Sequence, residues 1–171
     1  MRGLENLNPK VKEKALKLQA LAKSKLGLNI IFTETLRSDA EQKAFYAQGR
    51  EGLDSVNAKR KMANLPPITQ GQNKIITKAS SASTTWHGFG LAFDIAITDS
   101  TGKKIVWDKS SDWNGDHKDD WAQVGALADE VGLEWGGNFT SIYDAPHYQD
   151  RMGMTLAVVN AKFKAGTVAN C

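Results

Sequence analysis

Cysteine is almost absent from this chain of 171 residues, since the single cysteine, Cys171, is the last residue. An intrachain disulfide framework and a metal site built from several cysteines are therefore excluded. Long apolar runs are also absent, because no stretch approaches the roughly 20 residues of a membrane-spanning helix. The first twenty residues lack the apolar core of a secretory signal peptide. We therefore expect no stable membrane insertion and no export by a standard signal.

The charge of the chain is unevenly distributed. The net charge is +3, but residues 1–80 contain 15 Lys/Arg against 7 Asp/Glu, whereas residues 81–171 contain 7 against 12. A basic half indicates either an anionic partner or only a solvated helix face. The aromatic and glycine patterning of known nucleic-acid-binding modules is missing from it, so we expect no nucleic-acid partner. The length and the ordinary hydrophobic content of 41% suit one domain, and we expect a monomer.

The order of the predicted elements favours an α+β fold. The spacing of apolar residues and the turn signals predict helices at 9–27, 39–49 and 119–132 and strands at 28–35, 90–97, 103–107 and within 132–150. They also predict a long loop at 51–80, with room for a short helical turn, and a closing helix or strand from 155. Asn8 is the predicted N-cap of the first helix, and Ser38 opens a capping box at the second.

An aspartate lies in the most apolar strand, residues 90–97. Side chains alternate between the two faces of a strand, so Asp94 shares a face with two alanines and lies opposite the large apolar residues. A buried carboxylate is costly unless it is paired or binds a metal. Asp94 is therefore expected to have a cation close by. The opposite face, predicted to belong to the core, consists of Leu91, Phe93, Ile95 and Ile97.

His87 and His147 are the two histidines whose neighbouring carboxylates could join them in one site. His87 precedes Asp94 by seven residues across two glycines, which permit a tight turn back toward the carboxylate. Asp144 and His147 are three apart, and Pro146 makes a helix interior unfavourable there, so both side chains are predicted to enter one space. Two histidines, one carboxylate ligand and one spare carboxylate make up the inventory of a catalytic zinc site. The spare carboxylate could accept a proton from water.

Each of these residues also has a plainer interpretation. An isolated histidine is often structural, and Asp144 could be a turn residue, because Asp-Ala-Pro is good turn chemistry. His117 is a rival third ligand, but it lies in "NGDHKDD", the most polar stretch of the chain, and we expect it to be exposed.

A second, calcium-binding site is suggested by "DWNGDHKDD". Asp112, Asn114 and Asp116 occupy alternate positions, with two further aspartates beyond them. This spacing is similar to the start of a calcium loop, although His117 stands where glycine is expected at the sixth position. A solvated loop is the alternative.

The motifs resemble a known family. "TWHGFGLAFDIA" is similar to the Ser-x-His-x-x-Gly-x-Ala-x-Asp motif of the zinc D,D- and L,D-peptidases of the VanY and M15 type. "GLEWGGNFTSIYDAPHYQ" resembles the second motif of that family, and "TETLRSDAEQKAFYAQGR" resembles its upstream arginine-containing segment. The two main motifs keep the order found in the family and cover roughly residues 80–150.

The resemblance implies a role for each matching residue. By position, His87, Asp94 and His147 match the zinc ligands, and Asp144 matches the general base. Arg37 matches the arginine that holds a substrate carboxylate or polarises the scissile carbonyl. The implied fold is a small antiparallel sheet flanked by helices, as in D-Ala-D-Ala carboxypeptidases and hedgehog-like domains.

Two positions depart from the usual motif. Thr85 replaces a serine but keeps the hydroxyl, so it remains a candidate for substrate binding. Asp144 replaces a glutamate, and aspartate here resembles the L-alanyl-D-glutamate endopeptidase branch, which includes bacteriophage endolysins. That branch implies cleavage of the L-Ala–D-Glu bond in peptidoglycan stem peptides. The lysines of the basic half and Arg37 would help to retain the acidic stems.

The resemblance also predicts a biological setting. We expect one catalytic domain over 1–171 with no separate wall-binding domain, as in single-module endolysins of phages with Gram-negative hosts. Such an enzyme would accumulate in the host cytoplasm and reach the periplasm through a holin pore. Two alternatives stay open: a D-Ala-D-Ala carboxypeptidase of the same fold, and a zinc-stabilised wall-binding module without catalysis.

Overall fold

The computed structural model describes residues 3–79, 81–82, 85–99, 101–108 and 112–166, which leaves Cys171 outside the described residues. The helices are α1 (Pro9–Leu26), α2 (Asp39–Ala47), α3 (Leu53–Met62), α4 (Gln70–Asn73), α5 (Asp120–Ala126), α6 (Ala128–Val131) and α7 (Leu156–Lys164). The strands are β1 (Asn29–Glu34), β2 (Ala92–Thr98), β3 (Ile105–Val106), β4 (Glu134–Trp135) and β5 (His147–Gln149). Short 3₁₀ turns occur at Leu4–Asn6, Trp86–Phe89 and Gly136–Asn138. The predicted α+β class is confirmed.

The sheet is antiparallel, and β2 lies at its centre. Its path is β1-β2-β5-β4, and β3 pairs with the end of β2. The register sets Asp94 of β2 opposite Glu34 of β1 on one side and opposite His147 of β5 on the other. On the far side of β5, Gln149 pairs with Glu134 of β4. Five polar side chains in and around the site are thus positioned by strand pairing.

Helix α1 packs on this sheet as its spacing predicts. Asn8 caps its first turn through a bond from the backbone N–H of Lys10, and Gly27 ends it in the left-handed conformation. The predicted apolar face of β2 is confirmed as core, because all four of its large residues are buried. The buried side of α1 consists of Val11, Ala15, Leu18 and Ala22.

Two predictions of secondary structure need correction, and one open alternative is resolved. Residues 51–80, predicted as a long loop, contain α3 and α4. Helix α3 lacks an apolar stripe because its buried positions are only Val56 and Arg60, and Nε of Arg60 donates to the carbonyl of Pro66. The predicted helix 119–132 is divided in two at Leu127. The closing segment is a helix, α7, whose first turn is capped by Thr155.

The N-terminal residues also fix the turn that carries His87. Gly90 ends this 3₁₀ turn with φ +64°, and its carbonyl accepts from the backbone N–H of Asn8. A Cβ at Gly90 would lie 2.8 Å from the carbonyl oxygen of Asn6. Both the left-handed backbone and the close approach therefore require glycine here. No helix in the described parts of the chain is long and apolar enough to cross a bilayer.

We expect Gly90→Ala to lower the free energy of unfolding by about 3 kcal/mol, because a clash is added to the left-handed penalty. Gly27→Ala is the matched control, since Gly27 has φ +70° but nothing within 4 Å of a new Cβ. The control should lose only about 1 kcal/mol. Chemical denaturation of both variants measures the difference, and equal losses would show that the contact with Asn6 is unimportant.

Candidate metal centre

Three elements bring His87, Asp94 and His147 together: the 3₁₀ turn, β2 and β5. Nε2 of His87 lies 3.2 Å from Nδ1 of His147 and 3.3 Å from Oδ1 of Asp94. Nδ1 of His147 lies 3.2 Å from the same carboxylate oxygen. Among the described residues, these three form a group that could hold one metal ion. The structure thus brings together the residues that the sequence predicted as ligands.

The outer hydrogen bonds of the two histidines determine which ring nitrogen faces the centre. Nδ1 of His87 lies 2.8 Å from the carbonyl of Thr35, which can only accept, so Nδ1 carries the hydrogen. Nε2 of His147 lies 3.0 Å from Oε1 of Gln149, so it is the donor on that ring. In their neutral forms both rings therefore present a lone pair to Asp94. Two lone pairs and a carboxylate at this separation form a donor set for a cation.

When the two rings are protonated instead, their N–H groups and charges act on Asp94. Burial raises the pKa of Asp94, but the charges and hydrogen bonds of His87 and His147 outweigh it and hold the pKa well below its usual value. Burial lowers the pKa of His147, whereas its bond to Asp94 raises it, and the net shift is upward. Asp94 therefore stays ionised and attracts a positive charge at the point where the three ligand atoms meet.

Asp144 lies beside the candidate metal centre. Its carbonyl accepts from the backbone N–H of His147, and its own N–H donates to the carbonyl of Gly136. A Cβ at Gly136 would lie 2.4 Å from the carbonyl oxygen of Asp144 and 3.0 Å from Cβ of His147. Gly136 therefore permits this turn to approach closely. Burial, followed by the charge of Asp94, raises the pKa of the Asp144 carboxyl, as is typical of a group that exchanges protons.

Lys78 was not identified from the sequence but lies at the same carboxylate. Its Nζ lies 3.5 Å from Oδ1 of Asp144, and it also donates to the carbonyl of Tyr143. The basic half of the chain thus reaches the site through at least one lysine. The sequence did not indicate this contact, because Lys78 and Asp144 lie far apart along the chain.

Arg37 lines the same groove and faces Asp94 from the side opposite the histidines. Its Nη2 lies 3.5 Å from Oδ2 of Asp94, and its Nη1 donates to Oε1 of Gln42. The guanidinium also stacks over the ring of Phe45, 5.0 Å from its centroid. Arg37 is therefore held rigidly next to the ligand set. Its sequence-predicted role, to bind a substrate carboxylate or polarise a carbonyl, stays a prediction.

The centre lies in an open groove of about 890 Å³. Thr85 lines it and is half-buried, and its role in substrate binding stays a prediction. Phe139 packs against the ring of His147, and Trp107 is a further lining residue that stacks on the buried Trp121. The groove leaves room for an extended peptide beside the three ligand atoms.

The remaining candidates lie outside the groove. The side chain of His117 is 95% exposed, as predicted, and is not part of the centre. The carboxylate of Asp112 accepts from the backbone N–H groups of residues 115, 116 and 117, so these bonds shape the loop. Oδ1 of Asn114 accepts from the N–H of Asp116, which adds to the same turn.

Comparison with known proteins assigns the chain to a family. Residues 78–150 match a peptidase M15 family model described as D-alanyl-D-alanine carboxypeptidase. The chain is 33% identical over 144 residues to the peptidoglycan L-alanyl-D-glutamate endopeptidase CwlK of Bacillus subtilis, a match that covers 84% of this chain and 73% of CwlK. The chain therefore belongs to the M15 family of peptidases.

Two solved structures are similar over most of the chain. The L-Ala D-Glu endopeptidase ChiX of Serratia marcescens has a TM-score of 0.47 and 21% identity, with 91% of this chain and 86% of ChiX covered. The D,D-pentapeptidase VanY from a VanB-type vancomycin resistance cassette, in complex with Zn(II), has a TM-score of 0.45 and 17% identity, with 94% and 79% covered. The family assignment depends on the sequence match to CwlK.

We expect His87→Ala to lose zinc and peptidase activity together, because it removes one of three converging ligand atoms. His117→Ala is the matched control and should keep full zinc occupancy, since that side chain lies in solvent. Metal analysis of the purified variants by atomic emission measures the stoichiometry. Full occupancy in His87→Ala would remove this residue from the ligand set.

Proposed function

We propose that this chain is a zinc endopeptidase that cleaves the L-Ala–D-Glu bond of peptidoglycan stem peptides. The observation that carries the proposal is the convergence of Nε2 of His87, Nδ1 of His147 and Oδ1 of Asp94 within 3.3 Å of one another. Asp144 lies beside them with a raised pKa. The named activity of CwlK supports this choice of bond.

Each residue of the centre has a distinct role in the proposed reaction. His87, Asp94 and His147 would hold zinc, which polarises a carbonyl and acidifies water. Asp144 takes a proton from the attacking water and passes it to the nitrogen of the leaving D-Glu. Arg37 lines the groove beside Asp94 and would stabilise negative charge on the substrate.

The acidic character of the stem peptide agrees with the cations at the groove. Lys78 and Arg37 both line it, and each already lies within salt-bridge distance of a carboxylate of the protein. A substrate carboxylate would exchange for or add to these contacts. Thr85 would add a hydroxyl on the same wall. A D-Ala-D-Ala carboxypeptidase is the nearest alternative, since the matched family model carries that description.

The biological setting follows from the same proposal. We infer an endolysin role in host lysis, with the enzyme held in the host cytoplasm until a holin pore admits it to the periplasm. We also infer that a single catalytic domain over residues 1–171, acting as a monomer, is sufficient for cleavage. The resemblance of the motifs to those of single-module endolysins supports this inference.

We expect Asp144→Asn to lower hydrolysis of purified peptidoglycan by at least about a hundredfold, because the amide cannot accept a proton. Zinc content and wall binding should stay near those of the wild type, since Asp144 is not proposed as a ligand. Asp144→Glu should keep partial activity, because the carboxylate remains but is displaced by one methylene. Zinc stoichiometry and lysis rate are measured on the same samples.

The products distinguish the two candidate reactions. Mass analysis of the wild-type digest should show new N-terminal D-Glu, with L-Ala left on the muramyl side. Release of free D-Ala would instead identify the carboxypeptidase. Wild-type lysis by Asp144→Asn would make Asp144 a turn residue only, and loss of zinc would make it a ligand. Wall binding without any cleavage would favour a binding module.

Calcium binding at Asp112, Asn114 and Asp116 stays a prediction. Asp120 favours it, because this buried carboxylate accepts from the N–H of Trp113 through Oδ2, while Oδ1 has no hydrogen-bond partner among the described residues. Burial first, and then the neighbouring aspartates, raises the pKa of Asp120. A cation would relieve both the crowding of negative charge and the unpaired oxygen.

We expect calcium to shift the amide NMR signals of residues 112–120 before any others, because the proposed ligands lie there. Asp116→Asn should weaken the titration by removing one charge from the loop. Magnesium at equal concentration is the control for general ionic effects. A spectrum that does not change at millimolar calcium would contradict the prediction.

A further inference from the structure

We propose that Gln149 and Glu134 are positioning residues that hold the His147 ring with its Nδ1 lone pair toward the metal. This inference rests on the proposed zinc site and adds two residues that act on a ligand without touching the metal. Neither residue was assigned such a role by the sequence motifs.

A continuous chain of hydrogen bonds carries the inference. Nε2 of His147 donates to Oε1 of Gln149 at 3.0 Å, and Nε2 of Gln149 donates to Oε2 of Glu134 at 2.9 Å. Nε of Arg151 also approaches Oε2 of Glu134, at 2.8 Å. This chain of hydrogen bonds thus runs from the His147 ring outward to the Glu134–Arg151 ion pair at the protein surface.

The direction of each bond is determined by the group at its outer end. The carboxylate of Glu134 can only accept, so the amide of Gln149 must present its NH₂ group to Glu134 and its oxygen to His147. That oxygen in turn requires a hydrogen on Nε2 of His147. The neutral ring then has its lone pair on Nδ1, the atom 3.2 Å from Asp94 and from His87.

Strand pairing makes this arrangement rigid. Gln149 follows His147 by two residues on β5, so both side chains leave the same face of the strand. Glu134 lies directly opposite Gln149 in the register of β4 and β5. Gln149 is only 2% exposed, so its amide has little access to water and depends on these two partners.

The other tautomer of His147 shows what the hydrogen bond to Gln149 prevents. A hydrogen on Nδ1 of His147 would bond to Asp94 but would occupy the position of the metal. It would also place the Nε2 lone pair against the oxygen of Gln149, which is unfavourable. The amide of Gln149, fixed by Glu134, therefore opposes the metal-excluding tautomer.

The test measures the zinc dissociation constant by competition with a chelator, which does not depend on catalysis. We expect Gln149→Leu to weaken zinc binding by about 10- to 100-fold, the usual range for losing a partner of a ligating histidine. Glu134→Ala should weaken it by about tenfold, because the amide of Gln149 can then rotate. Gln19→Leu is the control, since this half-buried glutamine donates to Ile30 far from the site and should leave affinity unchanged.

A swap of the two residues separates a directed hydrogen bond from simple packing. In Glu134→Gln with Gln149→Glu, the carboxylate accepts from His147 and the new amide donates to it, with no change in total charge. We expect zinc affinity to return to within about threefold of the wild type. Because Glu134 acts through Gln149, Glu134→Ala combined with Gln149→Leu should bind no more weakly than Gln149→Leu alone.

The outcomes are decisive for the proposal. Three results would each overturn it. They are wild-type zinc affinity in Gln149→Leu, zinc affinity in the swap no higher than in Gln149→Leu, and additive losses of zinc affinity in the double variant. Thermal unfolding of the metal-free proteins checks folding, and if Gln149→Leu fails to fold, the half-exposed Glu134 and the swap still provide the test. His147→Ala is measured in parallel, because undiminished zinc binding there would refute the ligand assignment itself rather than the positioning role.

Discussion

The pairing of β2 with β5 is the constraint on which the rest of the site depends. It places Asp94 directly opposite His147, so one ladder of backbone hydrogen bonds sets the distance between two of the three proposed ligands. The same strands contribute Phe93 and Tyr148, whose rings stack in the core at 5.6 Å. Packing of the core and geometry of the site therefore depend on the same register, and a slip of β5 by one residue would turn His147 to the face opposite Asp94.

Around this strand pair, each charged or titratable side chain of the site is held by a fixed partner. The carboxylate of Asp94 faces two histidine nitrogens through one oxygen and Arg37 through the other. Thr35 and Gln149 hold the outer nitrogens of the two rings. Each ligand candidate is thus oriented by a group that does not itself reach the centre, which is how metal sites are commonly preorganised.

The sequence predicted much of this arrangement because the relevant signals are local. Alternation in β2 identified Asp94 as out of place among apolar residues, and the capping residues Asn8 and Ser38 marked the starts of α1 and α2. Helix α3 was missed because a single valine and a buried arginine anchor it, and these leave no periodic pattern.

Other features of the site depend on contacts between distant parts of the chain. The approach of Lys78 to Asp144 joins residues that no spacing rule connects. The relation between Glu134 and Gln149 required the register of two short strands, β4 and β5, which are two and three residues long. From the sequence, only the position of Gln149 two residues after His147 could have indicated that both side chains lie on the same face of a strand.

The two histidines face the centre through different ring nitrogens, so they would restrain the position of a bound metal ion unequally. Nδ1 is the nitrogen nearer the backbone, so His147 would hold a metal ion close to the backbone of β5. His87 reaches the same point with Nε2, at the far end of its ring, from the 3₁₀ turn. A small displacement of the 3₁₀ turn can be compensated by rotation of the His87 side chain. A displacement of β5 cannot be compensated in this way, because Nδ1 of His147 lies close to the backbone of that strand. The ion would therefore move with the sheet, and the turn would follow it.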